Sequence, residues 1–284
     1  AAGHLAVRGA RFGIVGFGHV GRRVAHAAGA LGMRPVVNDP PLAGATGEPL
    51  YRPLEELLDC EVIGLHCALE DDGPYPSRHL VNRALLERVR PGACLINVAR
   101  GPVADGAALA DALDAGILRA AVLDVWEQEP SPDPRLVDAA FIATPHIAGY
   151  AYDSKINATA QVYSAACHFL GMPPDWSIAS ATIPATAPPC IAAPVAPDAP
   201  VHSVVRSAYD ILADSAACRA ALQRKGEARA AAFEDLRRNY PVRRTFSAFA
   251  VEAGATAGEA IETLRKLGFQ IAATPVMEDA VDAP

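Results

Sequence analysis

Three glycines in the spacing G-x-G-x-x-G, at Gly16, Gly18 and Gly21, constrain the fold of this chain more than any other feature. An apolar run over residues 11–15 precedes them and predicts a β-strand, and the residues after them predict a helix that ends near Leu31. Here the first glycine permits a tight turn, the second lets another group approach the backbone, and the third allows close packing of helix on strand. The pattern therefore predicts a βαβ unit in a parallel sheet that is covered on both faces.

The rest of the first 150 residues alternates between strand and helix patterns. Further strands are predicted at 34–38, 61–67, 93–98, 119–125 and 141–143, and helices at 54–58, 82–89 and 106–115. This alternation predicts an α/β fold, a Rossmann-type doubly wound parallel sheet. Hydrophobic residues make up 51% of the 284, which is enough for that core and for a smaller second unit.

An acidic residue, Asp39, closes the second predicted strand 18 residues after Gly21. Its carboxylate can accept hydrogen bonds from the 2′- and 3′-hydroxyls of a ribose, and its charge would repel a 2′-phosphate. The helix that follows the glycines offers free N–H groups to a pyrophosphate. The sequence therefore predicts that the chain binds NAD rather than NADP. The alternative, an ordinary glycine-rich turn, does not account for a strand, loop, helix and acid in this order.

Three residues with the chemistry of a catalytic set follow later predicted strands. Arg100 comes after 93–98, Glu129 after 119–125 and His146 after 141–143. Ligands of open α/β sheets bind at the carboxyl ends of strands, where an arginine can hold a carboxylate and a histidine can exchange a proton with a hydroxyl. Each residue alone reads as an ordinary loop residue, but their shared placement beside a dinucleotide site favours oxidation of a 2-hydroxy acid.

The motifs that carry these residues resemble the D-isomer-specific 2-hydroxyacid dehydrogenases. The matching stretches are 16–21, 97–101 with Asp105, 123–130 and 144–149. The resemblance implies that Arg100 binds the substrate carboxylate and that His146, partnered by Glu129, is the acid/base. It also implies a set of cofactor contacts, in which Asp124 meets the nicotinamide carboxamide: Gly16, Gly18, His19, Val20, Gly21, Asp39, Cys67, Val98, Ala99, Arg100, Asp124 and Gly149. Cys67 stands where the family usually has threonine, so a backbone contact can persist there but a hydroxyl hydrogen bond cannot.

Within that family the chain is most similar to the erythronate-4-phosphate dehydrogenases. The stretches that carry this likeness are 72–75 with His79-Leu80, 146–150, 233–240 and 264–269. The resemblance implies NAD-dependent oxidation of 4-phospho-D-erythronate to 2-oxo-3-hydroxy-4-phosphobutanoate, a step of pyridoxal 5′-phosphate (vitamin B6) biosynthesis. It further implies that Tyr150 contacts this small phosphorylated substrate and that the C-terminal extension forms a homodimer.

The predicted domain organisation has four parts. They are an NAD-binding Rossmann domain (1–150), a segment whose helix 154–170 returns to the substrate domain in the family (151–172), a Pro/Ala-rich linker (173–200) and a C-terminal α+β dimerisation domain (201–284). In the last part, helices are predicted at 202–222 and 257–267 and strands at 243–252 and 269–272. Relatives begin with about one small domain more. We therefore expect this chain to be a fragment that binds NAD but turns over weakly or not at all.

Other function classes have less support. Net charge is −7 without basic runs, which argues against nucleic acid and anionic membranes as partners, and no apolar run is long enough to span a bilayer. The six cysteines form no CxxC pair, so we expect no metal and a reduced, cytoplasmic protein. Two alternatives stay open: a dehydrogenase of another D-2-hydroxy acid, and a non-catalytic NAD-sensing module, which would not need His146 and Glu129.

Overall fold

The computed structural model describes residues 6–180, 200–252 and 258–272, so that most of the predicted linker lies outside the described residues. Six strands form one sheet: β1 (Arg11–Val15), β2 (Arg34–Asn38), β3 (Val62–Leu65), β4 (Ala93–Asn97), β5 (Leu118–Leu123) and β6 (Ile142–Ala143). The helices between and after them are α1 (His19–Ala30), α2 (Pro40–Thr46), α3 (Leu54–Leu57), α4 (Arg83–Leu86), α5 (Gly106–Asp114), α6 (Pro134–Ala139), α7 (Tyr152–Leu170), α8 (Pro200–Ala208), α9 (Ile211–Leu222), α10 (Glu227–Arg238) and α11 (Gly258–Leu267). Two short strands, β7 (Ala250–Glu252) and β8 (Gln270–Ala272), form a second sheet.

The main sheet confirms the predicted Rossmann-type fold. Its strand order is β2-β1-β3-β4-β5-β6 and every pair is parallel. The chain leaves β1 toward one edge through β2 and returns to its other side at β3, so the carboxyl ends of β1 and β3 flank a topological switch point. The central strand β3 is buried along its whole length, as a parallel sheet covered by helices requires.

Two contiguous apolar clusters lie on this sheet. The larger one joins β3, β4 and β5 to α4 and α5, and it includes the fully buried side chains of Leu65, Leu95 and Leu109. The smaller one joins β1 and β2 to α1 around Ile14. Burial of these side chains is the main favourable term in folding, and it fixes the strand ends on which the candidate site is built.

The two compact units of the chain divide it differently from the predicted domains. One unit contains residues 1–150 and 211–241, and the other contains residues 151–210 and 242–284. Helices α9 and α10 belong to the sheet unit because Cys218, Leu222 and Phe233 are buried in its larger cluster. These two helices were predicted to belong to the C-terminal domain (201–284), but they are part of the sheet unit.

The second unit has its own small core. Strands β7 and β8 are parallel and α11 lies between them in sequence; Val204, Val251, Leu264 and Phe269 are the centre of the cluster. Two predicted elements differ here. The helix 202–222 is interrupted at Tyr209-Asp210, and the strand 243–252 is shortened because a 3-10 turn at Phe246–Ala248 stacks Phe246 on Phe269, with ring centroids 4.6 Å apart. Across the described residues, no helix is both long and apolar enough to cross a membrane.

Candidate active site

The carboxyl ends of all six strands form one row across the main sheet. The register runs through neighbouring partners, from Asn38 to Val15, Leu65, Asn97, Leu123 and Ala143. Each predicted functional segment begins directly after this row, including Gly16, Asp39, Val98 and Asp124. Segments that are far apart in sequence therefore emerge side by side at one edge of the sheet.

The glycine loop has an internal reason for two of its glycines. Gly16 has φ +91°, and a Cβ placed on it would lie 2.5 Å from the Cys67 nitrogen. A Cβ on Gly21 would lie 2.0 Å from the Gly16 carbonyl oxygen. A Cβ on Gly18, by contrast, would meet no described atom within 4 Å. Protein packing does not require glycine at position 18, so the open space beside it fits an external group.

Helix α1 begins at His19, directly beside that space, and Gly18 gives it no side-chain cap. The N–H groups of a first helical turn lack partners within the helix, and together with the helix dipole they attract an anion. The residues present therefore fit the pyrophosphate of a dinucleotide.

Asp39 has the position expected of a ribose ligand, and it also organises the protein. Its Oδ2 accepts a hydrogen bond from the Phe17 N–H at 2.7 Å, and its Oδ1 caps α2 by accepting from the Leu42 N–H at 3.0 Å. An ionised carboxylate has about four acceptor positions, so about two stay available for the two hydroxyls of a ribose. The capping role was not predicted, although Asp39-Pro40-Pro41 is a recognisable helix start.

A cleft runs along this edge from Asp39 to Arg100. Its first part, a cavity of about 630 Å³, is lined by the glycine loop, Asp39 and the 74–77 segment. Its second part, about 400 Å³, is lined by Val20, Val98, Ala99 and Arg100. His66, Cys67 and Ala68 line both parts and join them. Cavities of this size accommodate ligands of nucleotide dimensions.

The floor of the cleft is uncharged. Burial lowers the pKa of His66 to about 4, so its ring is neutral at physiological pH, and neither ring nitrogen has a hydrogen-bond partner among the described residues. Burial likewise raises the pKa of the Cys67 thiol to about 11, which keeps it protonated. A neutral floor does not oppose a pyrophosphate through like charge.

His146 is held by a network centred on Asp124. Its backbone has φ +57°, which is uncommon for a non-glycine residue. Its N–H donates to the Asp124 carbonyl at 2.7 Å. The buried Asp124 carboxylate accepts from the N–H groups of Ile147 at 2.8 Å and Ala148 at 3.0 Å, and from the Thr144 hydroxyl at 2.7 Å. These bonds fix the loop in its strained conformation, a role for Asp124 that sequence analysis missed.

Glu129 is the direct partner of the His146 ring. His146 Nδ1 lies 2.8 Å from Glu129 Oε2, while Glu129 Oε1 accepts from the Trp126 N–H at 2.8 Å. A carboxylate only accepts, so the proton is on Nδ1 and the other ring nitrogen, Nε2, is the one that exchanges protons. The structure thus brings together two of the three predicted catalytic residues.

Arg100 is exposed at the far end of the cleft. The buried Asn97 turns the chain toward it, accepting from the Ala99 N–H at 3.0 Å and donating to the Arg100 carbonyl at 3.1 Å. The next residue, Gly101, touches the loop that leads to Glu129, since a Cβ there would lie 1.9 Å from the Trp126 carbonyl oxygen. The arginine loop and the Glu129 loop therefore pack directly on each other.

The remaining predicted residues are distributed around these centres. His19 is exposed at the start of α1, and Gly149 is in open space, where a Cβ would meet no atom within 4 Å in the described part of the chain. Tyr150 is half-buried and lies edge-to-face with Tyr240, with ring centroids 5.9 Å apart. That contact joins residues 90 positions apart, and no local sequence pattern announces it.

Comparisons with known proteins match both the sheet region and the C-terminal region of the chain. A family model described as the D-isomer specific 2-hydroxyacid dehydrogenase, NAD binding domain, matches residues 2–148, and a model described as a domain of unknown function matches residues 191–268. The chain is 42% identical to the erythronate-4-phosphate dehydrogenase of Salinibacter ruber, over 87% of this chain and 65% of that protein. It is 36% identical to the erythronate-4-phosphate dehydrogenase of Hahella chejuensis, over 91% and 68%. It thus spans about two thirds of the length of these relatives.

Among solved structures, the TT0316 protein from Thermus thermophilus matches with a TM-score of 0.51 and 34% identity. The match covers 60% of this chain and 54% of that one.

Proposed function

The chain belongs to the D-isomer-specific 2-hydroxyacid dehydrogenases and carries their NAD-binding domain, and from this premise we propose that it serves in the oxidation of 4-phospho-D-erythronate. The products are 2-oxo-3-hydroxy-4-phosphobutanoate, NADH and a proton, and the step belongs to pyridoxal 5′-phosphate biosynthesis. The observation that carries the proposal is the contact of His146 Nδ1 with Glu129 Oε2 at 2.8 Å, at the same edge of the sheet, where the strands end, as the dinucleotide cleft.

The residues of the chain have separate tasks in this reaction. Bound NAD supplies the acceptor for the hydride that leaves carbon 2 of the substrate. The guanidinium of Arg100 binds the substrate carboxylate, which a planar fork of donors recognises bidentately. His146 Nε2 takes the proton of the 2-hydroxyl group. Glu129 orients the ring and stabilises the imidazolium that this proton transfer creates.

The cofactor cleft accounts for the preference for NAD. Gly18 and the first turn of α1 would hold the pyrophosphate, and Asp39 would accept hydrogen bonds from the ribose hydroxyls. A phosphate on the 2′-oxygen would face the Asp39 carboxylate, so NADP is rejected by like charge.

The test uses two proteins in parallel. The first is this chain; the second is a chimera in which the part of the Salinibacter ruber relative that precedes the matched region is fused in front of it. NADH formation is followed with 4-phosphoerythronate, D-lactate and D-glycerate as substrates. We expect turnover of 4-phosphoerythronate in the chimera and loss of about 10²–10⁴-fold in His146→Gln, the range general acid–base catalysis contributes.

Each result decides between the alternatives. Turnover of another hydroxy acid with none of 4-phosphoerythronate would replace the proposed substrate. NAD binding without turnover of any substrate in the chimera would favour a non-catalytic NAD-binding module. Full activity in His146→Gln would contradict its role as the base.

We also propose that the protein is a homodimer, because residues 233–240 and 264–269 resemble the dimerisation region of the erythronate-4-phosphate dehydrogenases. Sedimentation equilibrium of the chain measures this directly. A single species of monomer mass, 29.6 kDa, at micromolar concentration would contradict it.

A further inference from the structure

Helix α9 packs on the edge strand β6 that leads to His146, and α10 packs on α9; both helices come from the region matched by a family model of unknown function. The Ala143 N–H, at the end of β6, donates to the buried Ser215 hydroxyl of α9 at 3.0 Å. Arg219 of the same helix donates to carbonyls around the start of β6, among them those of Asp138 and Phe141 at 3.3 and 3.2 Å. The strand that leads into His146 is therefore anchored by residues that lie far downstream in the sequence.

The same two helices, together with Tyr240, two residues after the end of α10, build a cluster around Tyr150. The Tyr240 and Tyr150 rings form a T-shaped pair, at an interplanar angle of 76°, and the Tyr240 hydroxyl donates to the Asp214 carboxylate at 2.6 Å. The Arg237 guanidinium lies 5.8 Å from the centre of the Tyr150 ring and 6.0 Å from that of the buried Phe233 ring. Tyr150 is thus in contact with an aromatic ring and with a cation.

The hydrogen bonds and ion pairs of Arg237 do not account for the position of its side chain. Its Nε is buried and has no hydrogen-bond partner in the described part of the chain, and its NH1 lies 3.5 Å from Glu234. A buried donor without a partner costs free energy and calls for a compensating interaction. Attraction of the cation to the two aromatic rings is that interaction.

We propose that Arg237 and Tyr240 are positioning residues that hold the Tyr150 ring in place for the substrate. The region of unknown function then contributes to the candidate active site by fixing the residue four positions after His146. That Tyr150 contacts the substrate rests on the proposed function; that Arg237 and Tyr240 fix its ring rests on the contacts above. Edge-to-face pairs and cation–ring contacts restrict where a ring can lie, and this matters because catalysis is sensitive to small displacements.

The first experiment measures the position of the ring without any need for activity. The seven tyrosines of the chain are replaced by 3-fluorotyrosine, and the ¹⁹F resonance of Tyr150 is identified by its absence in Tyr150→Phe. We expect this resonance to shift in Arg237→Met and Tyr240→Leu and to stay in place in Arg238→Met, an exposed neighbour on the same helix. Arg237→Lys, which keeps the cation, and Tyr240→Phe, which keeps the ring, should shift it less. An unchanged Tyr150 resonance in both Arg237→Met and Tyr240→Leu would overturn the proposal.

The second experiment separates positioning from a general loss of stability, in the chimera described above. If Tyr240 acts through Tyr150, Tyr240→Leu raises the KM for 4-phosphoerythronate about 3- to 10-fold and leaves the Kd for NAD within about twofold, in line with the strength of one aromatic pair. The double variant Tyr150→Ala/Tyr240→Leu should then be no worse than Tyr150→Ala alone. If the effects of the two single substitutions on KM multiply in the double variant, the proposal is overturned. A chimera that ignores 4-phosphoerythronate would count against the proposed substrate, while the ¹⁹F shifts still decide the positioning.

Discussion

Replacement of Asp39 by asparagine separates the two roles that the structure gives to this carboxylate. In the wild type, Oδ1 caps α2 through the Leu42 N–H and Oδ2 accepts from the Phe17 N–H. Asparagine is as good an N-cap as aspartate, so its single oxygen can keep the bond to Leu42. Its NH₂ group then faces the Phe17 N–H and the cleft, where an acceptor is needed. Helix α2 should persist while the charged acceptor for the ribose is lost.

The size of the effect follows from the number of bonds. A hydrogen bond to a charged group contributes about 1.5–3 kcal/mol, and about 1.4 kcal/mol corresponds to a tenfold change in affinity. Loss of one such bond to the ribose therefore weakens NAD binding about 10- to 150-fold in Asp39→Asn. NADP binding should become tighter, because its 2′-phosphate no longer faces a carboxylate. Asp39→Ala should lose the same affinity and, in addition, the cap, which is worth about 1 kcal/mol or about 2–4 °C in Tm.

Calorimetric titration of the wild type and both variants with NAD and with NADP, at one ionic strength, measures these numbers. Thermal unfolding of the same samples separates the cap from the ligand contact. If Asp39→Asn binds NAD as tightly as the wild type and NADP as weakly, Asp39 does not recognise the ribose. The proposal that its carboxylate selects NAD over NADP is then wrong.

Three further predictions concern the floor of the cleft and the edge strand of the sheet. Cys67→Thr should tighten NAD binding about fivefold by adding a hydroxyl donor to the cleft, whereas Cys67→Val, of the same shape, should not; parallel titrations compare them. His66 takes up its proton more readily when unfolded, because its folded pKa is about 4 instead of about 6.5; its contribution to stability is therefore present above pH 6.5 and lost toward pH 4. Urea unfolding across this range should show an acid-side loss of up to about 3 kcal/mol that disappears in His66→Leu. Ser215→Ala leaves the buried Ala143 N–H without its partner and should lower the free energy of unfolding by about 1–3 kcal/mol. A Tm within about 1 °C of the wild-type value would contradict this.

The main sheet was predictable because each of its strands has a local signature. Apolar runs bounded by turn residues identify the strands, and the glycine spacing identifies the first crossover. Once the sheet is parallel, its carboxyl ends must lie in one row, and this places Gly16, Asp39 and Arg100 along one cleft from the sequence alone. The pairing of His146 with Glu129 followed from the same reasoning together with the family resemblance.

The supporting contacts were not predictable in this way because they join segments without a shared periodicity. The family resemblance gives Asp124 a cofactor contact, but no local pattern shows that its carboxylate also anchors the His146 loop. Helix α9 reads as the continuation of α8, because the break at Tyr209-Asp210 has neither glycine nor proline. Only the buried contacts of Cys218 and Leu222 assign it to the sheet unit.

Cofactor recognition and substrate chemistry are consequently supported by different parts of the chain. The part of the cleft that Gly16, Asp39 and Cys67 line is stabilised by β1, β2, β3 and the capped α2. The loop that carries His146 depends on Asp124 and on helices that begin at residue 211. A destabilising change in α9 or α10 therefore acts first on the edge strand β6 and the residues after it, while β1 and β3 keep their central place in the sheet. We therefore expect such a change to weaken substrate binding more than NAD binding, because the switch point lies inside the sheet and the proposed catalytic histidine follows the edge strand.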